Sequence, residues 1–296
     1  MDVSRRTFFK IAGVAGAVGL AGRPAAAQGA TLGPPDACAM LVDTTKCIGC
    51  RACEAACAEA NGLPGPTGDL VAGTRRITDQ RTFTVVNAYA REGGAEPRFV
   101  KTQCNHCLEP GCASACPVKA LEKTSAGPVV YHADRCIGCR YCMLACPFEV
   151  PKYEYDKAAP YVRKCEFCAA RQAAGKQPAC VSVCPSGALQ FGMRSALLEE
   201  ARTRIYTNAG RYVHHIYGEH EVGGTSWLYL SDVPFERLGL RTDLGTEGFA
   251  ELTQVSLAAV PLVMTLWPPF LMALYTFSLS REAHGPATSG EERHDG

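Results

Sequence analysis

The 296-residue sequence predicts a loop-rich α+β fold of short strands and short helices, followed by a single membrane-spanning helix. Three observations predict it. Sixteen of the seventeen cysteines fall into four quartets, one phrase around those cysteines is repeated, and an uncharged apolar run stands near the C-terminus. The quartets are Cys47, Cys50, Cys53, Cys57; Cys104, Cys107, Cys112, Cys116; Cys136, Cys139, Cys142, Cys146; and Cys165, Cys168, Cys180, Cys184. The first and third read C-x2-C-x2-C-x3-C, while the second opens its middle gap to four residues and the fourth to eleven. A short C-x2-C-x2-C turn aims three thiolates at one centre, and soft sulfur ligands suit iron–sulfur clusters. The fourth cysteine of such a run ligates the neighbouring cluster, so clusters come in pairs. Four runs therefore predict two pairs, four [4Fe-4S] clusters in all. Structural zinc instead brings two close pairs held apart by a finger or ribbon. Cysteines two or three apart on one turn are poor disulfide partners, because their Cβ atoms do not face each other.

The repeated phrase is Lys46-Cys47-Ile48-Gly49-Cys50-Arg51 and Arg135-Cys136-Ile137-Gly138-Cys139-Arg140. Its central glycine lets the backbone approach a cluster closely, with amide N–H groups facing the sulfurs. Proline follows Cys116, Cys146 and Cys184 and ends each cysteine helix, whereas Ala58 follows Cys57, so that helix runs on towards Asn61-Gly62. β-rich stretches flank the motifs at Met40–Val42, Phe83–Tyr89, Arg98–Lys101 and Val129–His132. The insertion 58–103, with its strands parted by Gly93-Gly94, reads either as a docking site for a partner or as a plain surface hairpin. An amphipathic helix is expected around Arg194–Arg204, and residues 186–245 read as a tether covering the clusters and leading to the membrane. With much of its interior inorganic, the domain 28–245 needs little regular structure.

The N-terminus, Ser4-Arg5-Arg6-Thr7-Phe8-Phe9-Lys10, precedes a weak apolar stretch and the small residues Ala25-Ala26-Ala27. This is a twin-arginine export signal over residues 1–27, with cleavage expected after Ala27. Export in the folded state reconciles reduced thiols with an oxidising destination, since the clusters go in beforehand. Near the other end, Val255–Ser280 carries no charge and exceeds the roughly 20 residues that cross a bilayer core. A transmembrane helix is expected over 249–280, kinked by Pro261, Pro268 and Pro269, with a cytoplasmic tail at 281–296.

The precursor carries 30 basic against 29 acidic side chains, and loss of residues 1–27 leaves 26 against 28. A near-neutral chain offers no footprint for nucleic acid. No dinucleotide fingerprint, phosphate loop, metalloprotease helix or nucleophile elbow is present, so no active site is predicted. His214, His215 and His220 read as surface polar residues, and His106 as a neighbour of a cluster. Cys38, outside the quartets, reads as a buried free thiol. Arg51, Arg140, Arg163 and Lys164 lie beside ligands, where positive charge favours the reduced cluster.

Together the quartets, the export signal, the Tyr217-Gly218-Glu219 to Gly223-Gly224-Thr225 segment and the C-terminal span resemble a known family. It comprises the periplasmic four-cluster iron–sulfur subunits of membrane-bound oxidoreductases, and the hydrogenase-2 type subunit is the nearest likeness. The resemblance implies tandem bacterial-ferredoxin-like modules and a ligand exchange. Cys47, Cys50, Cys53 and Cys184 would hold one cluster, and Cys57, Cys165, Cys168 and Cys180 its partner. Cys104, Cys107, Cys112 and Cys146 would hold a third, and Cys116, Cys136, Cys139 and Cys142 the fourth. It further implies a non-catalytic subunit on the periplasmic side of the cytoplasmic membrane. Electrons would pass between a catalytic subunit, a nickel–iron hydrogenase first and a molybdopterin oxidoreductase second, and an integral membrane subunit that exchanges them with quinone.

Overall fold

The computed structural model describes residues 36–91 and 96–283. The export signal, Gly93-Gly94 and residues 284–296 of the tail lie outside the described residues. The chain divides into two units, residues 1–254 and 255–296.

At the centre of the first unit is a three-stranded sheet. β1 (Cys38–Asp43) pairs antiparallel with β8 (Leu189–Met193) and parallel with β9 (Trp227–Leu230), giving the order β8-β1-β9. Side chains alternate across a strand, and here both faces are buried. Met40 and Val42 point into a core with Trp227, Tyr229, Phe167 and Cys180. Ala39 and Leu41 point the other way, onto Leu197, Leu198, Ala201 and Ile205 of α6 (Arg194–Thr207). That double burial explains why β1 reads as a continuous apolar run rather than an alternating one. One face of the sheet thus packs on a helix and the other on the cysteine-bearing segments.

Those segments are short. α1 (Ala52–Ala60), α2 (Gly111–Ser114), α3 (Tyr141–Leu144), α4 (Ala169–Ala173) and α5 (Ala179–Ser182) are joined by two-stranded ribbons. The ribbons are β2 (Val85–Tyr89) with β3 (Arg98–Thr102), β4 (Leu121–Lys123) with β5 (Val129–Tyr131), and β6 (Lys152–Tyr153) with β7 (Val162–Arg163). α1 outruns α2 and α3 because no proline follows Cys57, and it stops at Asn61, whose side chain donates to the Cys57 carbonyl at 2.7 Å.

Three expectations change. The ribbon of the insertion is not a plain surface hairpin: Val85, Val86, Val100 and Lys101 are buried, and the Glu54 carboxylate ties Arg76 (2.7 Å) and the Val86 amide (2.5 Å) to α1. Residues 186–245 are not a tether, because they supply β8 and β9. Cys38 is half-buried at the start of β1 rather than enclosed.

In α7 (Phe249–Ala283), Pro261, Pro268 and Pro269 all lie inside one helical segment instead of breaking it. Its stretch Ala259–Ser280 has a mean hydropathy of 1.5, and by length and composition it is sufficient to cross a membrane.

Candidate iron–sulfur centres

The repeated phrase folds twice into one backbone shape. Arg51, which precedes α1, has φ 59° and ψ 9°, and Arg140, which precedes α3, has φ 61° and ψ 10°. The residue before the second cysteine is left-handed in all four quartets: Gly49 (φ 69°), His106 (47°), Gly138 (71°) and Phe167 (56°). Glycine takes this conformation freely, whereas a side chain there costs about 1–2 kcal/mol. His106 and Phe167 bear that strain while stacked on each other with centroids 5.0 Å apart. The turn also aims amides at sulfur, as with the Phe167 N–H to Cys165 Sγ at 3.3 Å.

Four groups of sulfurs emerge. Cys47, Cys50, Cys53 and Cys184 line one cavity with Lys101, and Cys116, Cys136, Cys139 and Cys142 line another with Tyr131. Burial raises the Cys57 thiol to about 11; Lys101 opposes this, and the neighbouring sulfurs of Cys180 and Cys168 add to it. Burial likewise raises Cys165, whose first sulfur neighbour is Cys57. Cys107 and Cys112 are raised by burial and then by Cys146 and Cys104. Thiols so disfavoured as bare thiolates need a cationic centre to be deprotonated, and its binding releases their protons.

These residues fit a cluster. Among the described residues no three Cys, His, Asp or Glu side chains converge as the ligands of a single ion would. Sulfurs on one tetrahedral zinc stand about 3.8 Å apart, whereas a four-iron cube carries its thiolates on separate corners. Two buried donors, Nε2 of His106 and Nε1 of Trp227, have no hydrogen-bond partner in the protein. Nδ1 of His106 accepts from the Val129 N–H at 2.9 Å, so Nε2 carries the proton. Burial, followed by the charges of Lys164, Lys123 and Lys101, holds that imidazole neutral, far below the ordinary histidine range. Unpartnered donors in a sulfur-lined core suit the acceptor sulfurs of a cluster.

Helices join the groups in pairs. α1 carries Cys53 and Cys57, and Cys180 and Cys184 lie on and just after α5; Cys112 and Cys116 stand likewise on α2, and Cys142 and Cys146 on α3. Cys165 and Cys104, from different pairs, are near enough to act on each other electrostatically, and His106 and Phe167, each two residues from one of them, stack. Only Cys50 and Cys139 of the sixteen are exposed, one in each of the two groups that line a cavity.

Comparison with known proteins bears on these centres directly. Two models described as 4Fe-4S dicluster domain match residues 46–120 and 95–194. A protein of Nitratidesulfovibrio vulgaris is 48% identical over 95% of this chain and 78% of its own length. The hydrogenase-2 operon protein HybA of Escherichia coli O157:H7 is 36% identical over 75% of this chain and 79% of its own. The chain belongs to this family of 4Fe-4S dicluster iron–sulfur subunits. The formate dehydrogenase iron–sulfur subunit of Haemophilus influenzae, 32% identical over 83% of this chain and 79% of its own length, is a further relative. As a dicluster subunit with two such domains, the protein carries four [4Fe-4S] clusters.

Of the cations expected beside the ligands, Arg51 is paired with Glu54 at 3.0 Å and Arg163 lies 3.6 Å from Glu154. Arg140 sits over the Tyr153 and Tyr155 rings. Lys164 is buried, donating to the carbonyls of Val129 and Cys165. Sequence reasoning missed two other lysines, the buried Lys101 and the half-buried Lys123. Their only sequence signal is a lysine inside a short β-rich stretch. His214, His215 and His220 stand apart from the cysteines, around an open surface cavity with Arg202 and Tyr206.

Proposed function

We propose that this chain is the electron-transfer subunit of a membrane-bound oxidoreductase and is not itself catalytic. It relays electrons singly between a catalytic subunit, a nickel–iron hydrogenase, and a quinone-reactive membrane subunit on the periplasmic side. In this reading one cluster is held by Cys47, Cys50, Cys53 and Cys184, and the next by Cys57, Cys165, Cys168 and Cys180. Cys104, Cys107, Cys112 and Cys146 hold the third, and Cys116, Cys136, Cys139 and Cys142 the last. When bound, the clusters supply one-electron redox chemistry; the protein fixes their spacing, excludes water and tunes their potentials. The supporting observation is the gathering of the sulfurs into groups, two of which line cavities and each hold one exposed cysteine, Cys50 or Cys139.

Phe249 and Ala250 start α7 beside α2: the Ser114 hydroxyl donates to the Ala250 carbonyl at 3.4 Å, and a Cβ on Gly111 would stand 3.0 Å from that of Phe249. The chain therefore leaves the first unit next to the helix joining the third and fourth clusters, and the apolar stretch begins nine residues past Ala250. In this reading α7 anchors the chain, with export by the twin-arginine route. The formate dehydrogenase relatives favour a second reading, a molybdopterin catalytic partner.

Purification in mild detergent through a C-terminal tag tests both. Co-purifying nickel, with hydrogen-dependent cluster reduction, is expected; molybdenum or tungsten moves the chain to the second reading. A chain that turns over substrate unaided would refute the non-catalytic role.

A further inference from the structure

The third strand, β3, places one unpaired cation where two sulfur groups meet. Lys101 is 3% exposed, and its Nζ donates to Gln103 Oε1 at 2.8 Å and lies 4.4 Å from the centre of the Trp227 ring. Gln103 Nε2 in turn donates to the Tyr229 hydroxyl at 2.8 Å, and that hydroxyl donates back to the Lys101 carbonyl at 3.0 Å. All three side chains are buried, so the ammonium is fixed in position. Lys101 shares a cavity with Cys47, Cys50, Cys53 and Cys184, and the sulfurs of Cys57, Cys165 and Cys180 are also near it. A buried ammonium without an opposing charge is costly, and here the anionic partner is the cluster pair itself.

We propose that Lys101 sets the reduction potentials of the first two clusters together, stabilising their reduced forms so that electrons are shared between them. This rests on the ligand assignment given above. Each cluster gains one electron from its neighbour and loses it to the next; the fixed positive charge favours the state carrying the extra electron. No proton need move. Lys123 lies against the third group, and Lys164 stands between the second and third, donating to the Cys165 carbonyl.

The test is an EPR-monitored redox titration of the full-length protein in detergent with its co-purifying subunits. Lys101→Met removes the charge at similar volume. Gln103→Glu leaves the lysine in place and sets a carboxylate against it. In both variants two of the four midpoint potentials are expected to fall by at least a tenfold shift in the reduced-to-oxidised ratio, 59 mV for one electron. The other two should hold, and Lys101→Arg should restore the wild-type pair. Four unchanged potentials at full iron content overturn the proposal, as does an equal fall in all four. Loss of iron from both variants overturns it too, assigning Lys101 to assembly instead. Failure of the cluster reading itself would show separately, as wild-type iron and labile sulfide below four of each per cluster.

Discussion

Gly49 and Glu54 sit five residues apart within the first cysteine quartet and constrain the backbone there in different ways. A Cβ on Gly49 would lie 2.6 Å from the Phe99 ring, in a backbone conformation that already disfavours side chains. Gly62 has a similar φ of 60° but open space around it. Gly62→Ala should therefore cost only about 1 kcal/mol. Gly49→Ala should cost clearly more and lower the temperature at which visible cluster absorbance bleaches; equal bleaching in the two variants would refute the close-approach argument. Glu54 is buried yet ionised: burial opposes the charge, but Arg76, the Val86 amide and Arg51 outweigh it and hold the carboxyl below its usual range. A carboxyl lowered on folding stabilises the protein above its unfolded value of about 4.3 and ceases to do so as pH falls through the lower folded value. Glu54→Gln should lose about 2–3 kcal/mol at neutral pH. Its thermal bleaching should change less with acidification than that of wild type.

Among the elements, β9 carries no cysteine and yet completes the sheet. Met40 to Asp43 of β1 are in register with Trp227 to Leu230, and Trp227 and Tyr229 pack into the core that contains Cys180. A chain ending at Ser226 keeps all sixteen quartet cysteines but exposes that core. It should recover with little iron; full iron content in the truncated protein would return β9 to the role of tether. The short strands at Phe83–Tyr89, Arg98–Lys101 and Val129–His132 were legible because β-branched and aromatic residues cluster there. Their burial was not. A strand packed against inorganic sulfur and one facing water can share a composition, so the β2–β3 ribbon read as surface when it is core.

At the scale of the whole molecule, residues 1–254 and 255–296 are separate units by their contacts, and the apolar stretch lies in the second. Truncation after Gln254 should release the protein to the soluble fraction with its visible cluster spectrum intact, as fractionation and spectroscopy would report. Continued membrane association would point to a second attachment within residues 36–254. The sequence by itself determined the cysteine quartets, the repeated turn, the apolar span and the family, because these depend on spacing within a few residues or on composition along one segment. Only the tertiary structure decided that β8 and β9 flank β1, that Glu54 fastens the insertion to α1, and that Lys101 stands between two sulfur groups. Each of these joins segments far apart in the chain. A lysine's burial or a strand's neighbour is fixed by what packs against it, and that information lies in no local stretch of sequence.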